Sequence, residues 1–96
     1  MTTFFLFGEY SHDALTGIDA KRTKRAEEII GGFGGKLLSV HALLGKPDIV
    51  MIAELPGVPE AMQASIMLTK ATGIAFESKA SVPVATFDRL AGEALS

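Results

Sequence analysis

Residues 37–55 read LLSVHALLGKPDIVMIAEL, two apolar runs joined by the tetrapeptide GKPD at residues 45–48. Proline fixes φ and aspartate favours turns, so the tetrapeptide predicts a connection between two strands, at residues 36–44 and 48–55. An antiparallel sheet with one face in water alternates cleanly between apolar and polar residues, and neither run does so. The stretch therefore predicts two neighbouring strands that are covered on both faces.

Alternation along each strand predicts which side chains share a face of the sheet. On the first strand Val40 and Ala42 lie together and Leu37 lies opposite them. On the second strand Val50 and Ile52 lie opposite the other apolar residues. A large apolar face left uncovered by its own chain is by default a contact surface. The alternative is that these strands simply carry apolar residues at an open sheet edge.

The remaining elements are predicted from side-chain periodicity and from the turn residues between them. In chain order the prediction is strand 3–10, helix 12–33, the two strands above, helix 59–72, strand 74–82 and helix 84–95.

The order β-α-β-β-α-β is the ferredoxin-like plan, here with a C-terminal helix added. We therefore predict one α+β domain over residues 1–96 with a four-stranded antiparallel sheet. Two helices cover one face of such a sheet. We expect the other face to pack on a second copy in a two-fold dimer, which makes a dimeric α/β barrel.

The composition excludes several classes of function. Of the 96 residues, 48% are hydrophobic, none is cysteine, and the net charge is −2. A chain without cysteine forms no disulfide and no thiolate metal site, and nucleic-acid binding requires a basic surface. No apolar run reaches the roughly 18 residues of a membrane span, and the N-terminus does not resemble a signal peptide. We expect a cytoplasmic homodimer or higher oligomer that binds neither nucleic acid nor membrane and uses no metal or cofactor.

The first predicted helix carries an arginine on its apolar stripe. At about 100° per residue, Arg22 falls among the apolar side chains of one face. These are Leu15, Ile18, Ala26, Ile29 and Phe33. A guanidinium keeps its charge in proteins and needs a partner when it is buried. Arg22 therefore forms an internal salt bridge, or reaches the end of its helix, or faces a cavity and holds an anionic ligand through two parallel hydrogen bonds. The possible internal partners are Glu9, Asp48, Glu54 and Glu77.

Four other polar side chains are candidates for a site. Ser65 and Thr69 lie on or beside the inner stripe of the second predicted helix, where such hydroxyls either bond back to the preceding turn or line a pocket opposite Arg22. His41 lies in the middle of a strand and Tyr10 follows the first strand. Either is a candidate acid–base group, although a strand histidine is more often a hydrogen-bonded packing residue.

Short motifs over nearly the whole chain carry a family resemblance. They are FGEY (7–10), LTGI (15–18), RT (22–23), GGK (34–36), ALLG (42–45), DIV (48–50), LPG (55–57), LTK (68–70) and TGIAF (72–76). In this combination the chain resembles the GYD-domain family, small bacterial proteins of the dimeric α+β barrel type. The family is named for a glycine and a tyrosine–aspartate pair between the second and third strands. Gly45 and Asp48 match this loop motif, and Pro47 stands in the place of the tyrosine. The resemblance implies the fold and the dimer, and it implies no particular activity.

Three functions are consistent with these residues. The first is a small-molecule binding protein that takes an acidic or aromatic metabolite between sheet and helices through Arg22. The second, by analogy at the level of the fold, is a cofactor-independent monooxygenase or isomerase with His41 or Tyr10 as the acid–base group. The third is a structural oligomerisation module without a ligand. A single mid-strand histidine with no evident orienting partner favours binding over catalysis, and whether the protein is an enzyme stays open.

Overall fold

The computed structural model describes residues 1–11 and 20–96. The strands are β1 (Thr2–Glu9), β2 (Lys36–Ala42), β3 (Ile49–Leu55) and β4 (Ala75–Ser81), and the helices are α1 (Ala20–Gly32), α2 (Val58–Thr72) and α3 (Val84–Leu95). This order confirms the predicted α+β fold of the ferredoxin-like type. The predicted start of the first helix, at residue 12, lies outside the described residues.

The four strands form one antiparallel sheet in the order β2-β3-β1-β4. The two central strands, β1 and β3, are the most apolar, and Leu6 pairs with Met51 at the middle of their ladder. Because every neighbouring pair is antiparallel, β1 and β2 end where β3 and β4 begin. This edge is the β1 end of the sheet.

Helices α1 and α2 pack on one face of the sheet and enclose the core. The buried residues of this core are Phe4, Leu6, Ala26, Ile30, Met51, Ala53, Leu55, Ala61, Ala64 and Leu68. The helices contribute mostly alanine at these positions, which lets them lie close to the sheet. The α1–β2 turn is packed closely as well. A β-carbon on Gly35 would lie only 2.6 Å from Leu55 Cδ2, so there is no room for a side chain at this position.

The predicted face of Leu37 is wrong, because β2 contains a β-bulge. The pairing register of β2 against β3 shifts between Leu37 and Ser39. A bulge sets two residues of one strand against one of its partner, so the alternation inverts at that point. Leu37 therefore lies on the helix-covered face together with Val40, and both pack against the core.

The opposite face of the sheet carries an apolar strip along the two central strands. Phe5 pairs with Ile52 and Phe7 pairs with Val50. The two phenylalanine rings are stacked with their centroids 6.3 Å apart. The edge strands flank this strip with polar side chains, among them Ser39, His41, Glu77 and Lys79. None of the described helices packs on this face.

Helix α3 follows β4 after only two residues, Val82 and Pro83. Its large apolar side chains are exposed, and the described chain measures 52 Å in its longest dimension against 30 Å and 17 Å in the others. Within the described residues, no helix has both the length and the apolar character that crossing a membrane requires.

Candidate functional site

A cavity of about 150 Å³ lies at the β1 end of the sheet, on the helix-covered face. The apolar part of its wall consists of Val40, Ala42, Ile49, Met51 and Ile74. These residues lie near the ends of β2, β3 and β4, so the antiparallel arrangement of the sheet is what brings them together. The cavity therefore lies against the β1 end of the sheet, next to α1 and the C-terminus of α2.

The polar part of the wall contains Arg22 and Thr23 of α1. Arg22 precedes the buried Ala26 and Ile30 by one and two helical turns, so it lies on the same inner stripe of α1. Its side chain is half-buried. Two residues of the predicted stripe, Leu15 and Ile18, lie outside the described residues. The structure thus gives Arg22 a place on a cavity wall, and its role as a ligand clamp stays a prediction.

Tyr10 also lines the cavity, and its backbone is held by Asp48. Asp48 Oδ2 accepts a hydrogen bond from the Tyr10 N–H at 3.1 Å. The Asp48 backbone N–H donates to the Gly8 carbonyl at 2.9 Å, and the Asp48 carbonyl accepts from the Leu43 N–H at 2.7 Å. Asp48 of the loop motif therefore ties the end of β1 to the β2–β3 connection and fixes the chain that carries Tyr10.

Gly45, the other residue of the loop motif, has a φ of +101°. This is a conformation that L side chains rarely adopt, so the glycine is required by the turn itself. Gly45 is exposed and does not line the cavity. Pro47 lies in the same turn and lines a different depression of the surface, beside Phe7 and Ala75.

The threonine of α2 that reaches the cavity is Thr72. Its Oγ1 donates to the Leu68 carbonyl at 2.7 Å and accepts the Ile74 N–H at 3.1 Å. These bonds close the C-terminus of α2, which ends at Gly73 in the left-handed conformation. Thr72 is therefore a structural part of the wall. Thr72 lies on the predicted inner stripe of α2 with Ser65, so its hydroxyl was one of those that could face Arg22. Among the described wall residues, Thr23 was not predicted, and its only signal was its position next to Arg22.

Ser65 and Thr69 do not line the Arg22 cavity. Ser65 Oγ lies 2.6 Å from Ser78 Oγ of β4, and Thr69 Oγ1 donates to the Ser65 carbonyl at 3.0 Å. The Thr69 bond runs to the preceding turn of its own helix, which is the first of the two predicted alternatives for these hydroxyls. Both residues lie along a groove between α2 and β4, away from Arg22.

His41 lies on the opposite face of the sheet from the cavity. Its neighbours Val40 and Ala42 point to the cavity, and alternation along β2 turns His41 the other way, where it pairs with Val50. The imidazole is exposed. Of the two candidate acid–base groups, the structure brings Tyr10 to Arg22 and leaves His41 on the apolar-strip face.

The site contains no described group of metal ligands. Across residues 1–11 and 20–96, no three histidine, aspartate or glutamate side chains meet in a way that could hold a metal ion. Among the described residues, the groups that line the cavity are one guanidinium, one phenol and two threonine hydroxyls, together with aliphatic side chains and one methionine. The described wall is therefore mostly apolar, with one cationic side chain in it.

The fold and this site define a small α+β domain of the ferredoxin-like type with a pocket between its sheet and its helices. The family model described as GYD domain matches residues 4–91 of the 96, and the chain therefore belongs to the GYD-domain family. No match was found among curated proteins.

Proposed function

We propose that this GYD-domain protein is a cytoplasmic homo-oligomer that binds a small acidic or aromatic metabolite in the Arg22 cavity. The observation that carries the proposal is that Arg22 lines a cavity whose other wall residues are mostly apolar. A guanidinium presents donors in a planar fork that matches the two oxygens of a carboxylate, and this match is stronger where water is scarce.

The volume of the cavity limits the size of the ligand. An apolar protein cavity of about 150 Å³ holds one benzene molecule. The Arg22 cavity has about this volume, so it suits a single ring or a short branched chain. An aromatic monocarboxylate of the size of benzoate would place its ring against Val40, Ile49 and Met51 and its carboxylate against Arg22.

Calorimetric titration with benzoate and with short aliphatic carboxylates tests the proposal. We expect Arg22→Met to weaken carboxylate binding roughly 10- to 100-fold, because a hydrogen bond to a charged group contributes about 1.5–3 kcal/mol. Thr69→Val is the matched control, since it removes a hydroxyl that lies outside the cavity. Equal carboxylate affinities of the wild type and Arg22→Met, or binding of benzyl alcohol as tight as that of benzoate, would contradict a carboxylate clamp.

One observation favours the alternative of an enzyme. Tyr10 lines the same cavity as Arg22, so a phenol and a guanidinium face one ligand space. In that reading Arg22 binds the acid and the Tyr10 hydroxyl transfers a proton, as in a cofactor-independent isomerase. Tyr10→Phe tests the enzyme. Under either function the variant keeps most of the carboxylate affinity. Only an isomerase has a wild-type turnover, and the variant loses it.

The proposed self-association is supported by the apolar strip of Phe5, Phe7, Val50 and Ile52. The strip lies along the two central strands, on the face that none of the described helices covers. A two-fold axis through such a strip pairs it with itself, which is how most soluble homodimers are built. His41 and Ser39 lie on the same face, beside the strip, and would come close to the partner in such a dimer.

A further inference from the structure

A second apolar surface, separate from the strip, lies on the helix-covered side of the molecule. It is a groove of about 470 Å³ between α2 and β4. Val58, Met62 and Ile66 of α2 form one wall at a spacing of four residues, and Ile66 is 68% exposed. This stripe is about 12 Å long at the helical rise of about 1.5 Å per residue. The groove therefore presents a straight apolar surface of two helical turns to its surroundings.

The floor of this groove is suited to an apolar occupant. Its hydroxyls belong to Ser65 and Ser78, and these two bond to each other at 2.6 Å. The remaining floor consists of Phe4, Phe76 and Ala80. Because one of the two hydroxyls already donates to the other, an apolar side chain that covers them takes less hydrogen bonding from water than it would over two unpaired hydroxyls.

The terminal helix α3 carries a matching apolar face. At about 100° per residue, Val84, Phe87, Leu90, Ala91 and Leu95 fall on one side of the helix. Phe87 is 60% exposed and Leu95 is 88% exposed. Arg89 and Glu93 lie on the other side and pair at 3.0 Å, which keeps that side polar. An amphipathic helix of this kind normally buries its apolar side, yet α3 packs closely against none of the described strands or helices.

The connection to β4 directs α3 away from the groove of its own chain. Helix α2 turns back into β4 at Gly73, so the Val58 end of α2 lies beside the Ser81 end of β4. The chain leaves β4 at that same end. To enter its own groove α3 would have to reverse direction within Val82 and Pro83, and Pro83 is extended, with φ −58° and ψ 149°. In agreement with this, α3 has no buried residue and makes no extensive contact with the other described elements, so it does not occupy the groove of its own chain.

We propose that α3 of one copy docks its apolar face into the α2–β4 groove of a second copy. The two surfaces are both apolar, both without a described partner, and both straight over at least two helical turns. The second copy is the occupant because the same chain supplies the missing helix at equal concentration and its own connection sends that helix outward. This contact is independent of the Arg22 cavity and of the sheet strip.

The cysteine-free chain allows a direct test by cross-linking. One chain carries Met62→Cys and a second chain, with a tag of different length, carries Phe87→Cys. The two proteins are mixed and treated with a short bismaleimide. This reagent tolerates the 8–10 Å between the axes of packed helices. We expect a cross-linked product that contains one chain of each kind. Gln63→Cys with Arg89→Cys is the matched control, because these residues lie on the same two helices but outside the proposed contact. We expect no mixed product from this pair.

Two outcomes would overturn the proposal. A chain that carries both Met62→Cys and Phe87→Cys and cross-links only within itself would show that α3 closes on its own groove. Absence of the mixed product for Phe87→Cys with Met62→Cys and also with Ile66→Cys, in purified full-length protein of native circular dichroism, would show that no second copy occupies the groove.

Discussion

Asp48 joins three parts of the chain through both its carboxylate and its backbone. It accepts the Tyr10 N–H, donates to Gly8 and accepts from Leu43, so the end of β1 and the β2–β3 connection share one hydrogen-bonded corner. The role follows from the chemistry of a short acceptor side chain, which reaches a neighbouring backbone without needing much space. Asp48 therefore has a structural role at this position that is separate from any ligand.

We expect Asp48→Ala to lower the free energy of unfolding by roughly 1–3 kcal/mol, because the Tyr10 N–H loses a charged acceptor. Asp48→Asn keeps an acceptor oxygen at the same reach and should retain most of the stability. Urea unfolding of the three proteins measures both effects. If the asparagine variant is as unstable as the alanine variant, the hydrogen bond to Tyr10 is not the source of the loss.

Gly35 is required by lack of space. A β-carbon at this position would overlap the Glu54 backbone carbonyl and lie 2.6 Å from Leu55 Cδ2. We expect Gly35→Ala to destabilise the protein by about 1–3 kcal/mol in urea unfolding, as overpacking against a backbone does.

Gly31→Ala is the control for Gly35. A β-carbon at Gly31 in α1 would meet open space beyond its own helix, and alanine is the better helix former by about 1 kcal/mol. This variant should therefore be as stable as the wild type or more so. A loss of similar size at both positions would mean that the chain is sensitive to any glycine change here and that the contact with Leu55 is not the cause.

At the scale of the elements, the helices and turns were largely predictable and the detail of β2 was not. The glycine after α2 and the proline at its start act on adjacent residues, so the sequence shows them directly. The bulge at Leu38 arises from how β2 pairs with β3, and no residue type within β2 indicates its position. One inserted position was enough to move Leu37 to the other face.

The end of α2 offers a test with a matched pair of threonines. Thr72 is buried and caps the turn into β4 through Leu68 and Ile74, whereas Thr69 is exposed and bonds only to its own helix. We expect Thr72→Val to lower the free energy of unfolding by roughly 1–3 kcal/mol, because the buried Ile74 N–H loses its acceptor. Thr69→Val should change it little. Equal effects in thermal or urea unfolding would contradict the capping role.

At the scale of the whole molecule, two apolar surfaces lie on opposite sides of one thin sheet. The strip around Phe5 and Ile52 belongs to one side, and the α2–β4 groove belongs to the other. A chain of 96 residues buries only about 60–65% of the surface that its unfolded form exposes, so association is a natural way to cover the rest. The two contacts together would make an assembly larger than either gives alone.

Light scattering of the purified protein tests the contact at the strip. We expect at least a dimer for the wild type, and we expect Phe5→Lys to reduce the molar mass, because a charge at the centre of the strip must stay hydrated. Gln63→Lys adds the same charge to the exposed side of α2 and should leave the mass unchanged. A wild-type monomer at micromolar concentration, or a Phe5→Lys protein with native circular dichroism and the wild-type mass, would exclude the strip as an interface.

The sequence by itself determined the order of the elements, the antiparallel α+β plan and the place of Arg22 on the inner side of α1. These features depend on periodicity and turn residues over a few neighbouring positions, which a linear sequence displays. Only the tertiary structure decided which polar groups share a cavity with Arg22. Tyr10 and Thr72 reach it, while Ser65, Thr69 and His41 do not. The reason is geometric: the register of β2, the direction of each strand end and the course of α2 depend on pairing between distant segments. A shift of one residue in that pairing sends a side chain to the other face.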